Sequence, residues 1–365
     1  MTSTEILGIV ALLVGGLTFF LFGMNVMSSG LEKMAGGALE RTMKKVTSND
    51  FLGFFLGAGV TIAIQSSSAM TVMLIGLVNS GIVDFSNTFG MIMGSNVGTT
   101  LTAWLLSLTG ISGDNFFLTL LQPMTFAPIL AFFGIVLQMI SKKDKHKNLG
   151  SIFIGFAVLM VGMDNMSEAV KPLRDVPEFT NILLMFSNPL LGILAGAVVT
   201  AVIQSSSASV GILQSLASAG LVPFGAAIYI IMGQNIGTCV TAILSSMGAK
   251  KNAKTAALMH LLFNVIGTVF FSTVAIAYLT FAQPAWANGT ISQTQISMIH
   301  TIFNIVTTVM LFPLSGIIVK LAKKIGGVSD EKSEESVLHL DNRMLETPGI
   351  AIPSMRSEIV RMGRI

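Results

Sequence analysis

The sequence predicts an all-α polytopic membrane protein. It is expected to hold two inverted-topology repeats, each with a re-entrant helical hairpin and an interrupted transmembrane helix, and then a final helix. Three observations carry this. The first is composition: 52% of the 365 residues are hydrophobic and only 11% charged, against about 25% charged in an ordinary soluble domain. Apolar runs of about twenty residues recur, long enough to cross a bilayer. The second is that the chain matches itself without gaps, in a single register that sets Gln65 on Gln204. The third is that its basic residues gather on alternate loops.

The register of the repeat is explicit. "TIAIQSSSAM" (61–70) falls on "TAVIQSSSAS" (200–209), and "MGSNVGTTLTA" (93–103) on "MGQNIGTCVTA" (232–242). Gly53 and Gly57 fall on Gly192 and Gly196, and Gly23-Met24 on Gly162-Met163. Duplicated halves of this kind are a common plan for membrane carriers.

Repeat 1 occupies 1–148. Residues 6–28 form its first helix, and "LEKMAGGALERTMKKVT" (31–47) reads as an amphipathic helix lying at the membrane surface. Residues 51–82 are mostly apolar, with Gln-Ser-Ser-Ser at their centre. Each arm has about 14 residues, roughly 20 Å of helix. That is short of the ~30 Å of hydrocarbon, so the segment is expected to fold back as a hairpin with its polar tip at depth, a single long broken helix being the alternative. Residues 86–109 follow, interrupted where Gly94 and Gly98 permit a break, and 116–140 close the repeat.

Repeat 2, 149–282, copies the order with 149–168, 187–220, 225–247 (broken at Gly233 and Gly237) and 255–281. A final helix, 295–320, lies in 283–325. The polar tail 326–365 is expected to be a cytoplasmic linker to a truncated domain.

A hairpin returns to its own side, so each repeat crosses three times and the second must be inverted. Loop charge is an independent check. Four loops on one side carry fourteen basic residues, among them Arg41, Lys145, Lys250 and Lys323; the other side holds only Lys171 and Arg174. The basic side is cytoplasmic and the N-terminus outside.

Other features narrow the function. A net charge of +3 gives no reason to expect a nucleic-acid partner. The single cysteine, Cys239, excludes an internal disulfide and a multi-cysteine metal centre. "MTSTEILGIV" lacks the basic start of a signal peptide. "NGT" (288–290) is a short, unspecific match to the glycosylation pattern. The 23 methionines form no dense Met-x-x-Met cluster with His or Cys, so no copper site is read. No nucleophile is paired with a base and a deep acid, so an enzyme is not expected. A continuous polar stripe, as a channel needs, is also absent.

The polar tips carry the chemistry. A small polar run can serve helix packing alone. Two copies, each at a hairpin midpoint and each followed by Gly-x-Asn-x-Gly-Thr, point instead to a binding site. A helix starting at membrane depth presents free N–H groups and a positive dipole end to an anion. Serines there can cap the helix or donate hydrogen bonds. The amide, hydroxyl and unwound carbonyl oxygens of the interrupted helices suit a hard cation such as Na+. No Asp, Glu, Lys or Arg falls centrally in the spans, which favours Na+ over H+ coupling. "HLLFN" (260–264) and "HTIFN" (300–304) are read as hydrogen-bonding scaffold, with His260 or His300 as a proton shuttle the lesser reading.

The doubled QSSS with its following G-x-N-x-G-T segments resembles the type II sodium-dependent inorganic phosphate cotransporter family, over about 6–320. The resemblance implies a cell-membrane (inner-membrane) symporter that imports inorganic phosphate with Na+ by alternating access. Phosphate is assigned to Ser66, Ser67, Ser68, Ser205, Ser206 and Ser207. Na+ is assigned to Gln65, Asn96, Thr99, Thr100, Gln204, Asn235 and Thr238. Repeat 2 departs from repeat 1 at Gln234 for Ser95 and Cys239 for Thr100, which implies an asymmetric Na+ arrangement. The expected partners are inorganic phosphate, Na+ and the lipid bilayer, with a homo-oligomer left open. The alternative is another anion, sulfate or a dicarboxylate, on the same plan. "LDNRMLETPGIAI" also resembles the linker that leads, in bacterial members, to a helical domain similar to phosphate-uptake regulators.

Overall fold

The computed structural model describes residues 2–43, 49–111 and 115–328. Among these residues the chain is helical, and its β pairing is a single bridge between Pro223 and Thr290. The elements are α1 (Ser3–Met43), α2 (Asp50–Ile64), α3 (Ser67–Asn79), α4 (Thr88–Ser107), α5 (Phe116–Leu121), α6 (Pro123–Ile140) and α7 (Asp144–Val170). They continue with α8 (Pro177–Met185), α9 (Pro189–Ile203), α10 (Ser206–Ser218), α11 (Phe224–Ser245), α12 (Lys251–Ala282), α13 (Gln293–Leu311) and α14 (Ser315–Gly326). Among the described residues, six stretches are long and apolar enough to cross a membrane: Ser3–Ala35, Pro123–Ile140, Asp144–Asp175, Phe224–Ser245, Lys251–Ala282 and Gln293–Gly326. α2 and α3, of 15 and 13 residues, are too short to do so alone.

Glycine sets how the helices meet. α1 carries Gly16, Gly23 and Gly30 on one face at a spacing of seven. A side chain there would strike the backbone of α7 at Gly162, Gly155 and Asn148 in turn. As one number rises the other falls, so α1 and α7 run antiparallel with their backbones in contact. The register of the duplication sets Gly16 on Gly155 and Gly23 on Gly162. It therefore turns the Gly16–Gly162 contact into the Gly155–Gly23 contact, and the seam is locally two-fold.

A second glycine pattern fixes the hairpins. A side chain on Gly90, Gly94 or Gly98 would strike the carbonyl of Asp50, Phe54 or Ala58. Both series rise together, so α2 and α4 run parallel. By Gly90 the chain is back beside Asp50, where α2 began. α3 has therefore carried it back from the tip. Gly233 against Ile193 and Gly237 against Ala197 reproduce the pattern in α9 and α11.

Several expectations are corrected. The expected interruptions in 86–109 and 225–247 are not there: α4 and α11 are continuous α-helices. Their glycines admit a neighbouring backbone, and their polar side chains bond back to their own helix without unwinding it. The surface helix at 31–47 is not separate, because α1 runs unbroken to Met43. No proline interrupts it, and Gly30 is used for the approach to α7; residues 44–48 lie outside the described residues. The span 116–140 divides at Gln122, where Pro123 opens α6. The loop after 168 contains α8, bent 97° from α9. The tail beyond 328 lies outside the described residues.

Candidate functional site

Both QSSS motifs break a helix in the same way. α2 ends at Gln65 in the left-handed region (φ 54, ψ 30), and Ser66 is extended (φ −147, ψ 103). Gln204 (φ 58, ψ 25) and Ser205 (φ −144, ψ 112) repeat these angles. The Oγ of Ser66 accepts from the Ala69 amide at 3.1 Å, and that of Ser205 from the Ala208 amide at 3.2 Å. The first serine of each motif is thus the N-cap of the return arm. The second, Ser67 or Ser206, is the first residue of the arm, and each is only 5% exposed. The opening amides of α3 and α10 have no intrahelical acceptor, and both helices aim their positive ends at the tips.

The two tips meet. The hydroxyl of Ser68 donates to the Gln204 carbonyl at 3.3 Å, joining one motif to the other. Thr241 donates to the same carbonyl at 3.4 Å. The Gln65 side chain donates through Nε2 to the Ile62 carbonyl at 2.8 Å, and its Oε1 accepts from Thr102 at 2.9 Å. Across the repeats, α3 packs on α11 and α10 on α4. Ser207 is buried beside Ser206 on α10.

Of the expected cation ligands, Gln65 and Gln204 sit at the helix breaks, while Asn96, Thr99, Thr100, Asn235 and Thr238 are buried on the unbroken helices. Asn96 donates through Nδ2 to the Ile92 carbonyl at 3.1 Å, and Asn235 to that of Ile231 at 2.9 Å. Thr99 donates to the Ser95 carbonyl, Thr100 to that of Val97 and Thr238 to that of Gln234. Every one of these bonds uses a hydrogen. The threonines are left with oxygen lone pairs and each asparagine with its Oδ1 and a second N–H, so every one of them still has an oxygen to offer, the chemistry a hard cation takes. Backbone carbonyls of α4 and α11 are committed to their helices, so the expected carbonyl ligands from those segments are withdrawn. Beyond the side chains, the strained tip residues supply the carbonyl that accepts from Ser68 and Thr241.

Sequence reasoning missed the threonines that fasten the tips. Thr102 and Thr241 occupy matching places in the "LTA" and "VTA" ends of the duplicated segments, and that repetition was their signal. It also missed a buried junction in which Gln214 Nε2 donates to Ser297 Oγ (2.9 Å) and to the Ala103 carbonyl (3.1 Å). Ser297 itself donates to Ala103 at 2.8 Å, so α10, α4 and α13 are tied together. The scaffold reading of the His/Asn pairs has geometric support in one copy. Asn264 Nδ2 donates to Cys239 Sγ at 3.2 Å, linking α12 to α11, while Asn304 bonds only to His300 on its own helix. Neither His260 nor His300 has a partner at Nδ1.

Paired helix breaks that meet through Ser68 and the Gln204 carbonyl, with buried neutral polar side chains on the neighbouring helices, are the features of this membrane fold that a carrier of small ions could use. Comparison with known proteins places the chain more closely. It belongs to the Na+/Pi-cotransporter family, whose profile matches residues 19–168 and 176–282. It is 30% identical to YqeW of Bacillus subtilis, an uncharacterized protein, over 83% of this chain and 94% of that one. It is 26% identical to YjbB of Escherichia coli, whose name marks it as a candidate inorganic phosphate export protein. That match covers 100% of this chain but 63% of YjbB, so the chain spans less than two thirds of that relative. A shorter stretch, 27% of the chain, is 35% identical to the rat sodium-dependent phosphate transport protein 2A, over 16% of its length. No solved structure matches the chain.

Proposed function

We propose that the protein carries inorganic phosphate across a cell membrane together with Na+, inward, binding both between the two QSSS tips. The observation that carries this is the meeting of the tips through Ser68 and the Gln204 carbonyl. Phosphate brings negative charge and several acceptor oxygens. The starts of α3 and α10 supply amides and dipoles, and Ser66, Ser67, Ser68, Ser205, Ser206 and Ser207 supply hydroxyls. No fixed cation stands among these residues, so co-bound Na+ balances the charge that the helix ends leave over. Asn96, Thr99, Thr100, Asn235 and Thr238, with Gln65 and Gln204, are its assigned oxygens. Phosphate leaves as it arrived, with no bond made or broken.

The antiparallel α1–α7 seam supports inverted repeats. Two inverted halves around one site supply two equivalent gates, the basis of alternating access. The loop charge puts the N-terminus outside and the loop between α6 and α7 in the cytoplasm.

Export is the second reading, favoured by the name of YjbB. A coupled carrier runs down the sum of its gradients, so direction is a matter of conditions as well as construction. The test is uptake of radiolabelled phosphate into proteoliposomes under an inward Na+ gradient, with an equal K+ gradient as control. Uptake with Na+ alone is expected. Equal uptake in both removes Na+ coupling, and an outward Na+ gradient driving uptake against the phosphate gradient would favour export by exchange. Competition by sulfate or a dicarboxylate as strong as by phosphate would replace the substrate.

A further inference from the structure

One face of α12 changes character along its length. The N-cap and first turn carry Lys250, Lys251 and Lys254, all exposed. From Lys254 the same face continues at helical spacing through Leu258 and Leu261. These lie about 6 and 10 Å further along the helix axis, and both are half-buried. The end of α11 runs beside them, with Ile243 39% exposed and Met247 70% exposed. Between the two helices lies an open groove of about 460 Å³, lined by Ile243, Met247, Lys254, Ala257, Leu258 and Leu261 among others. Its polar side chains are Lys254 and Ser246. Lys254 forms no ion pair among the described residues. The register of the duplication sets Ile111, Ser112 and Asn115 on the three lysines, so this basic end belongs to repeat 2 alone.

We propose that this groove binds one anionic phospholipid, with a fatty chain along Leu258 and Leu261 and the headgroup phosphate at Lys254, beside Lys250 and Lys251. Charge complementarity selects the occupant. Cations at one end of a groove and hydrocarbon at the other match the division within a lipid. Free phosphate matches only the lysines, since the apolar walls offer nothing to replace its hydration. A zwitterionic lipid fills the walls but brings its own cation to the lysines. The lysine stem can lie on the apolar wall while its ammonium stays at the headgroup level. The lysines also stand on the side that loop charge assigns to the cytoplasm, where anionic lipids attract basic segments. The groove is separate from the tips, and its binding can be read without measuring transport.

The test is native mass spectrometry of the purified full chain in detergent, titrated with dioctanoyl phosphatidylglycerol. Dioctanoyl phosphatidylcholine is the zwitterionic probe. Saturable binding of phosphatidylglycerol to the unaltered protein is expected. Phosphatidylcholine should bind about fivefold more weakly or worse, the attraction of a single lysine to an anionic lipid surface. Lys254→Gln keeps the groove and removes the charge, so phosphatidylglycerol affinity should fall about fivefold while that of phosphatidylcholine holds. Leu258→Trp fills the groove and should weaken both lipids. Lys142→Gln, equally exposed but on the loop between α6 and α7, should change neither. If Leu258→Trp does not fold, the two exposed lysine variants still decide the matter. Equal affinity for the two lipids would overturn the proposal. An equal loss from Lys254→Gln and Lys142→Gln would do the same, since it would show general attraction to a basic surface. Displacement of the lipid by an equal concentration of inorganic phosphate would make the lysines a phosphate site and overturn it too.

Discussion

Gln65 and Gln204 hold left-handed backbone angles that favour glycine, with φ at 54 and 58. Such a residue costs on the order of 1–3 kcal/mol, and glycine would avoid that cost. The side chain explains the choice at Gln65, because its amide bridges Ile62 on α2 and Thr102 on α4. Gln65→Gly should therefore leave stability within roughly 1 kcal/mol, strain relief offsetting the two lost side-chain hydrogen bonds, while phosphate uptake falls steeply. Thermal unfolding in detergent beside proteoliposome uptake separates the two effects; a large loss of stability would make the glutamine structural only. Thr102→Val removes the Thr102–Gln65 bond alone at nearly constant volume and should lower uptake in the same direction. Ser67→Ala and Ser206→Ala each delete one hydroxyl from a helix start. A hydrogen bond to a charged group contributes ~1.5–3 kcal/mol, so the phosphate concentration for half-maximal uptake should rise about tenfold or more in each. Full uptake at limiting phosphate would show that the hydroxyl serves packing. Asn96→Ala and Asn235→Ala should instead raise the Na+ concentration for half-maximal uptake, and unchanged Na+ dependence in both would end their role as cation ligands.

At the scale of elements, the hairpins were legible and the interrupted helices were not. A run of apolar residues too short on either side of QSSS to span a bilayer has few ways to fold, and the duplication presents it twice, at 51–82 and at 187–220. Gly94, Gly98, Gly233 and Gly237 were ambiguous in a physical sense. A glycine in a helix is the same letter whether it permits a break or admits a neighbour, and only coordinates show the carbonyl of Phe54 lying against Gly94. The neighbouring Asn and Thr side chains looked like free ligands because their bonds to carbonyls one turn back cannot be seen in a sequence of letters. The bond from Ser68 to Gln204, and those that Thr102 and Thr241 make to the tips, join positions far apart in the chain and leave no local mark in the sequence. The glycine reading has its own test. Gly94→Ala and Gly233→Ala should each destabilise the protein by about 2 kcal/mol, in the range of core overpacking, because the added methyl meets a fixed carbonyl. Gly59→Ala is the control, since nothing lies within 4 Å of a side chain there. Equal unfolding temperatures for all three would show that α2 and α4 are not in backbone contact.

At the scale of the whole molecule, topology and packing constrain each other. The α1–α7 seam requires the first helices of the repeats to run in opposite directions, which is the arrangement that inverted halves demand. For the proposed topology, the positive-inside rule predicts that the basic loops face the cytoplasm. The protein contains the means to check this, because Cys239 is its single cysteine and is buried. A membrane-impermeant thiol reagent applied to intact cells should therefore leave the unaltered chain unlabelled. Lys145→Cys, exposed in the first turn of α7 just after α6, should label only after the membrane is opened. Glu178→Cys, exposed at the start of α8, should label in intact cells. The two positions flank the apolar part of α7, one at each end, so the pair reports its direction without disturbing either tip. Labelling of both in intact cells would mean that α7 does not cross. Labelling of Lys145→Cys alone would reverse the molecule and place the basic loops outside, against the charge rule.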